Sequence, residues 1–320
     1  MKLLIGHKLT DEELARVRSA AHDARISLAE DEAQVLASIG DAEIYVPGPW
    51  NEGVFSAAKR LRWVHFSWAG MNSTLFPAVV ESDVTITNSA GVFSIPIAEH
   101  TMALMLSFAR MIHLFARWPK ETWKNRETRG KLHGQIRELC GATLGIVGYG
   151  GIGRETARRA KAFGMRVIGL RNHPERGGEF ADAILGPKEL DELLKQSDYL
   201  LISAPLNEAT RGLIGGRELA LMKPEAVIIN VARGAIIDEA ALIQALQDGK
   251  LRGAGLDVTT VEPLPQDSPL WEMENVIITN HVGGASPKTW ERQLALFIDN
   301  LERYTAGRPL RNVVDKKAGY

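Results

Sequence analysis

Hydrophobic and polar positions change period repeatedly along the chain, and each change marks an element. In the first hundred residues short apolar runs alternate with amphipathic ones. Residues 3–6, 25–28, 42–46, 63–66 and 84–88 read as strands, and residues 11–20, 31–38 and 54–60 as helices between them. Strands alternating with helices predict a β/α unit on a parallel sheet. Two glycine-containing loops, 67–72 and 88–92, follow strands of this unit. Strand ends of this kind are where open α/β sheets bind ligands.

Ser94-Ile95-Pro96 then signals a helix start, and residues 97–112 are apolar nearly all round, which suits a buried helix between domains. Residues 117–138 turn polar and charged around Trp118 and Trp123. Either these tryptophans pin a long loop to its own domain, or they cross to another subunit and wall its active site. The second reading is favoured because Trp is enriched in interface cores. Strands follow at 144–147, 166–170, 199–203, 226–231, 253–257 and 276–279, with helices at 152–163, 187–195, 217–222 and 238–247. That pattern predicts a doubly wound sheet. A closing helix over 287–304 is expected to return and pack on the first unit, which lacks a C-terminal element.

Between strand 144–147 and helix 152–163 lies Gly148-Tyr149-Gly150-Gly151-Ile152-Gly153, a G-x-G-x-x-G pattern in the strand–turn–helix setting it requires. Gly148 allows the tight turn, and Gly150 lets a pyrophosphate approach the backbone. Gly153 lets helix and strand pack closely, and the helix N-terminus faces the anion. The pattern therefore predicts dinucleotide binding. In NAD-binding domains an acidic residue about twenty positions further on holds the ribose 2′-hydroxyl. Here strand 166–170 runs into Arg171-Asn172-His173-Pro174-Glu175-Arg176, with no acid directly after the strand. A guanidinium at Arg171 would pair with a 2′-phosphate and stack on adenine. NADP(H) is thus expected in preference to NAD(H), with NAD(H) left open.

Composition narrows the classes further. A chain of 320 residues suits two domains. With 38 basic and 39 acidic residues, a net charge of −1 gives no reason to expect nucleic acid or an anionic membrane as partner. The single cysteine, Cys140, excludes an intrachain disulfide and suits a reducing cytoplasm. The N-terminal apolar run is too short for a signal peptide, and the apolar stretch 101–109 is too short to span a bilayer. There is no Cys/His cluster to suggest a metal site. His65, His100, His113 and His133 read as structural.

Four strand ends of the second half carry polar groups. These are Ser203-Ala204-Pro205 with Thr210, Asn230-Val231-Ala232-Arg233, Asp257 with Glu262 beyond it, and Asn280-His281. In a doubly wound sheet all such ends lie on the cofactor's side, which gathers a cation, two carboxylates and an imidazole there. The order of the strands does not follow from one sequence. Five stretches make a resemblance visible: LGIVGYGGIG (144–153), SAPLNEATRGLI (203–214), NVARGAIID (230–238), GAGLDVTTVEPLP (253–265) and NHVGG (280–284). The chain closely resembles the D-isomer-specific 2-hydroxyacid dehydrogenases over nearly its whole length.

The resemblance implies an α/β fold of two Rossmann-like doubly wound parallel-sheet domains with a cleft between them. Residues 1–95 plus 287–320 would bind substrate, and 96–286 the dinucleotide. It also implies a homodimer. Carried over by position, the family's catalytic arginine, glutamate and histidine fall on Arg233, Glu262 and His281. Arg233 would bind the carboxylate of a 2-keto acid and polarise its carbonyl. His281 would protonate the carbonyl oxygen as hydride arrives from the nicotinamide, with Glu262 orienting the imidazole. The substrate-carboxylate loop falls on Trp68, Ala69 and Gly70, with Trp68 narrowing the pocket. Cofactor contacts fall on Thr101, Gly148 to Gly153, Arg171, Asn172, Ala204, Pro205, Thr210, Val231, Ala232, Asp257 and Gly284. Asn280 stands where many relatives have proline. The expected activity is NADPH-dependent reduction of a small 2-keto acid, of the glyoxylate or hydroxypyruvate type, to the D-2-hydroxy acid. The alternatives are an NAD-linked dehydrogenase of another D-2-hydroxy acid and a non-catalytic dinucleotide sensor.

Overall fold

The computed structural model describes residues 1–117, 130 and 133–319; Trp118 and Trp123, and with them the subunit-crossing reading, lie outside the described residues. The fold is α/β, with two sheets in two compact units, Met1–Phe93 with Ser286–Tyr320, and Ser94–Ala285.

In the first unit, β1 (Lys2–Ile5), β2 (Arg25–Leu28), β3 (Ile44–Val46), β4 (Trp63–Phe66) and β5 (Thr85–Asn88) form a parallel sheet in the order β2-β1-β3-β4-β5. Helix Asp11–Ala21 starts at a capping box: Thr10 accepts from the Glu13 N–H, and the Glu13 carboxylate accepts from the Thr10 N–H. The last helix, Thr289–Thr305, returns to this sheet. Its Leu294, Phe297 and Leu301 pack with Leu3, Ile5, Val17, Ile44 and Trp63. The short helix Pro77–Glu81 has no counterpart in the sequence reading, because five residues are too few to show a helical period.

The second unit holds β6 (Thr143–Val147), β7 (Arg166–Leu170), β8 (Ala183–Leu185), β9 (Tyr199–Ile202), β10 (Val227–Asn230), β11 (Gly253–Leu256) and β12 (Val276–Ile278). All pair in parallel, in the order β12-β11-β10-β9-β6-β7-β8. The central strands β6, β9, β10 and β11 are buried along their whole length, as parallel strands covered on both faces require. Edge strand β8 is three residues long and only half-buried, too weak a pattern to read from sequence. Helix Ser94–Ala109 spends its apolar girth on this unit's own sheet, where Met105 and Phe108 pack with Leu144, Ile146, Val227 and Ile229. From β6 the chain winds one way through β7 and β8, and the other way from β9 to β12. The switch point of the sheet therefore lies between β6 and β9. No helix among the described residues is long and apolar enough to cross a membrane.

Candidate active site

The glycine turn sits at that switch point. Gly148 has φ +94, a conformation that favours glycine. Its N–H and that of Tyr149 both donate to the Leu170 carbonyl, at 3.0 and 2.9 Å. A Cβ on Gly148 would lie 2.4 Å from the backbone N of Ala204, so the loops after β6 and β9 touch backbone to backbone. A Cβ on Gly153 would lie 3.0 Å from both the Gly148 carbonyl and Ile146 Cγ2. Gly150 differs: a Cβ there would meet nothing within 4 Å. The first bond of helix Gly151–Ala162 runs from Arg154 N–H to the Gly150 carbonyl at 2.9 Å, and no side chain caps the helix. The N–H groups of Gly151, Ile152 and Gly153 thus have no partner inside the helix. Open space at Gly150 beside three unshared donors at a helix N-terminus fits the pyrophosphate of a nicotinamide dinucleotide.

The other cofactor candidates are distributed around this turn. Tyr149 turns its ring into β7, so tightly that a Cβ on Gly169 would sit 2.3 Å from it, and its hydroxyl donates to the Glu179 carbonyl. Burial pushes this phenol up to about 12. Arg171 stands half-buried at the end of β7, with its Nη1 donating to the Gly177 carbonyl at 3.1 Å. Asn172, His173 and Arg176 are exposed beside it, and the Glu175 carboxylate lies 3.2 Å from His173. Thr101 is fully buried, its hydroxyl donating to the Ile97 carbonyl at 2.8 Å. Ala204, Val231 and Ala232 are buried strand-end residues. The Thr210 hydroxyl donates to the Pro205 carbonyl at 2.7 Å and accepts from the Asn207 N–H at 2.8 Å, which fixes that loop.

The sheet order brings the three catalytic candidates together. Arg233 follows β10, Glu262 follows β11 and His281 follows β12, and these strands are neighbours. His281 Nδ1 lies 2.9 Å from Glu262 Oε2, and the Thr259 N–H donates to Glu262 Oε1 at 3.2 Å. A carboxylate on Nδ1 fixes the proton on that nitrogen and leaves Nε2 as the outward end. Both side chains remain open, at 47% and 41% exposure. Arg233 is half-buried; burial lowers its proton affinity and Glu262 opposes that shift, so the guanidinium stays charged. Asn230 holds the Arg233 turn at both ends, donating to the Arg233 carbonyl at 2.9 Å and accepting from the Ala232 N–H at 3.0 Å. A Cβ on Gly234 would sit 2.0 Å from the Thr259 carbonyl carbon, so the Arg233 loop rests directly on the Glu262 loop.

His281 itself has φ +54, a left-handed conformation that costs a non-glycine residue roughly 1–2 kcal/mol. Neighbouring bonds compensate. The His281 N–H donates to the Asp257 carbonyl at 2.8 Å. The Val282 and Gly283 N–H groups donate to Asp257 Oδ1 and Oδ2 at 3.0 and 2.9 Å. Thr279 Oγ1 donates to Asp257 Oδ1 at 2.6 Å, and His100 Nε2 lies 2.9 Å from that hydroxyl. Thr279 carries no distinguishing pattern in the sequence, and His100 reads there as structural. Their link to the His281 loop depends on helix and strands meeting in space, for which the sequence carries no signal.

The substrate-loop candidates belong to the first unit. Trp68, Ala69 and Gly70 follow β4. Trp68 packs on Phe66 with ring centroids 4.8 Å apart, and its Nε1 donates to Thr74 Oγ1 at 3.3 Å. The Trp68 and Ala69 carbonyls accept from the Ser89 N–H at 3.1 Å and the Asn88 amide at 2.8 Å. The loop is thereby held through its acceptors. Among the described residues no group of three or more His, Cys, Asp or Glu is arranged to hold a metal ion.

Comparison with known proteins adds three relatives. The chain is 32% identical over 320 residues to a D-3-phosphoglycerate dehydrogenase of Methanocaldococcus jannaschii, covering 98% of this chain but 59% of that protein's length. It is 36% identical over 269 residues to a glyoxylate reductase of Aeropyrum pernix, covering 82% of this chain and 79% of that one. Its fold matches the crystal structure of an NADPH-dependent glyoxylate/hydroxypyruvate reductase from Sinorhizobium meliloti in complex with NADP and sulfate. That match has a TM-score of 0.80 and 26% identity, over 100% of this chain and 99% of that one. Residues 102–283 match the family described as D-isomer specific 2-hydroxyacid dehydrogenase, NAD binding domain, and with the glycine turn at the switch point and the Arg233, Glu262 and His281 loops side by side, the chain belongs to the D-isomer specific 2-hydroxyacid dehydrogenases, a family of NAD(P)-dependent oxidoreductases.

Proposed function

We propose that this protein reduces a small 2-keto acid of the glyoxylate or hydroxypyruvate type to the D-2-hydroxy acid with NADPH, as a cytoplasmic homodimer. The observation that carries the reading is the 2.9 Å His281–Glu262 pair one strand away from the half-buried Arg233. The bound dinucleotide supplies the hydride. Arg233 binds the substrate carboxylate through its planar fork and polarises the adjacent carbonyl, more strongly for being half-buried. His281 delivers a proton from Nε2 to the carbonyl oxygen while Glu262 holds Nδ1, and in the reverse direction the neutral ring takes the proton back. The Ala69 and Gly70 N–H groups are proposed as further donors to a carboxylate. NADPH is favoured because Arg171 directly follows β7, with exposed Arg176 nearby and no carboxylate directly after the strand.

The test is turnover of glyoxylate, hydroxypyruvate, pyruvate and phenylpyruvate with each reduced cofactor, followed by nicotinamide absorbance. Turnover of the smaller acids with a preference for NADPH is expected. Equal use of NADH, or preference for it, removes the cofactor assignment. Dinucleotide binding without turnover of any keto acid removes the catalytic one and favours the sensor.

A further inference from the structure

We infer that Asp257, tied through the Thr279 hydroxyl to His100, is a positioning residue that holds His281 in its left-handed turn. The inference rests on the reading of His281 as proton donor. It assigns Asp257 a task beyond the cofactor contact that the family resemblance implies.

The geometry is that of a small anion nest. A residue in the left-handed region turns successive N–H groups toward one concavity, where an anion is held. Here the anion is the protein's own Asp257 carboxylate, 3% exposed, accepting from the two residues that follow His281. The Asp257 carbonyl accepts from His281 itself. Three consecutive amides therefore end on one residue, and the turn that aims the imidazole is set by where that residue lies. Gly283 belongs to the same device, since a Cβ there would stand 2.7 Å from Asp257 Oδ2.

The third bond to the carboxylate reaches further. Thr279 has a single hydroxyl proton and gives it to Asp257 Oδ1. Its oxygen then accepts from His100, which assigns the proton to His100 Nε2. His100 thus stops the hydroxyl from rotating away, and helix Ser94–Ala109 becomes the far support of the His281 loop. A buried carboxylate with these donors is compensated for its lost hydration. With one donor removed it has reason to shift, and the amides it holds shift with it. A misplacement of about 1 Å costs a proton-transfer geometry about a hundredfold in rate.

Thr279→Val removes the hydroxyl at nearly constant volume. The expected result is a kcat lower by about tenfold to a hundredfold, with dinucleotide affinity measured by calorimetry unchanged. Thr279→Ser should restore the rate. In the dinucleotide-free protein the Val282 and Gly283 amide resonances should move in Thr279→Val and return in Thr279→Ser. His100→Phe keeps a ring without a donor and approaches the same chain from its other end, with about a tenfold loss in kcat expected. The inference is overturned if the amides move while kcat stays at the wild-type value, or if the loss falls on dinucleotide affinity instead. It is equally overturned if His100→Phe leaves kcat intact. Full turnover in His281→Ala would remove the proton-donor reading instead, and would leave the amide shifts of Thr279→Val in place.

Discussion

His281 and Arg171 carry the two residue-scale claims, and each separates binding from chemistry. His281→Ala deletes the group paired with Glu262 at 2.9 Å but leaves the glycine turn untouched. Turnover should fall about 10²- to 10⁴-fold with NADPH affinity retained in calorimetry; a variant that loses affinity and keeps turnover contradicts the assignment. Arg171 is half-buried and already anchored to the Gly177 carbonyl at 3.1 Å, so its fork is partly pre-set for a phosphate. Arg171→Ala should lower kcat/KM for NADPH about tenfold to a hundredfold, the usual scale of a lost charge-assisted hydrogen bond, and hardly change it for NADH. An equal loss with both cofactors would make Arg171 a loop anchor only. Both positions were open to sequence reading as expectations, Arg171 from its place directly after the strand that follows the glycine motif, and His281 from a strand end taken together with the family resemblance. Thr279 and His100 were not, because what distinguishes them is contact across 179 positions of chain.

At the scale of elements, the glycine turn makes three glycines with one sequence pattern play different physical parts. Gly148 combines φ +94 with a would-be Cβ 2.4 Å from Ala204 N, and Gly153 is packed against the Gly148 carbonyl and Ile146. Gly150 has ordinary backbone angles, φ −104, and open space. Gly148→Ala should therefore lower the melting temperature as well as dinucleotide affinity. Gly150→Ala should leave the melting temperature in place and weaken only the dinucleotide, because its methyl group would occupy the space where the pyrophosphate approaches. Thermal unfolding and calorimetry on the two variants check this, and a Gly150→Ala protein that binds NADPH normally would place the pyrophosphate elsewhere. The strands themselves were largely readable, since the runs at β2, β4 and β7 have the boundaries their apolar patterns suggest. Sheet order was not. Nothing in the apolar runs of β10, β11 and β12 tells that they are neighbours, and this adjacency is what turns Arg233, Glu262 and His281 from three strand-end residues into one site.

For the molecule as a whole, the consequential feature is that each unit has its own core. Leu3, Trp63 and Phe297 belong to one, and Leu144, Val227 and Phe108 to another. The first unit also buries His65 almost completely, with Nδ1 2.8 Å from Thr87 Oγ1 and Nε2 without a partner. Burial pushes this imidazole from 6.5 down to about 3. The folded form thus stays neutral where the unfolded chain takes up a proton. Its contribution is fully present above pH 6.5 and is lost as pH falls toward about 3, at up to about 1.4 kcal/mol per pH unit. The dinucleotide acts on the other unit, adding about 2.7 kcal/mol at a hundredfold excess over its Kd. Scanning calorimetry should then resolve two transitions. Acid should lower the one belonging to the first unit, NADPH should raise the other, and His65→Gln, which cannot titrate, should flatten the acid response of the first alone. A single transition that follows both pH and NADPH would show the two cores melting as one cooperative body.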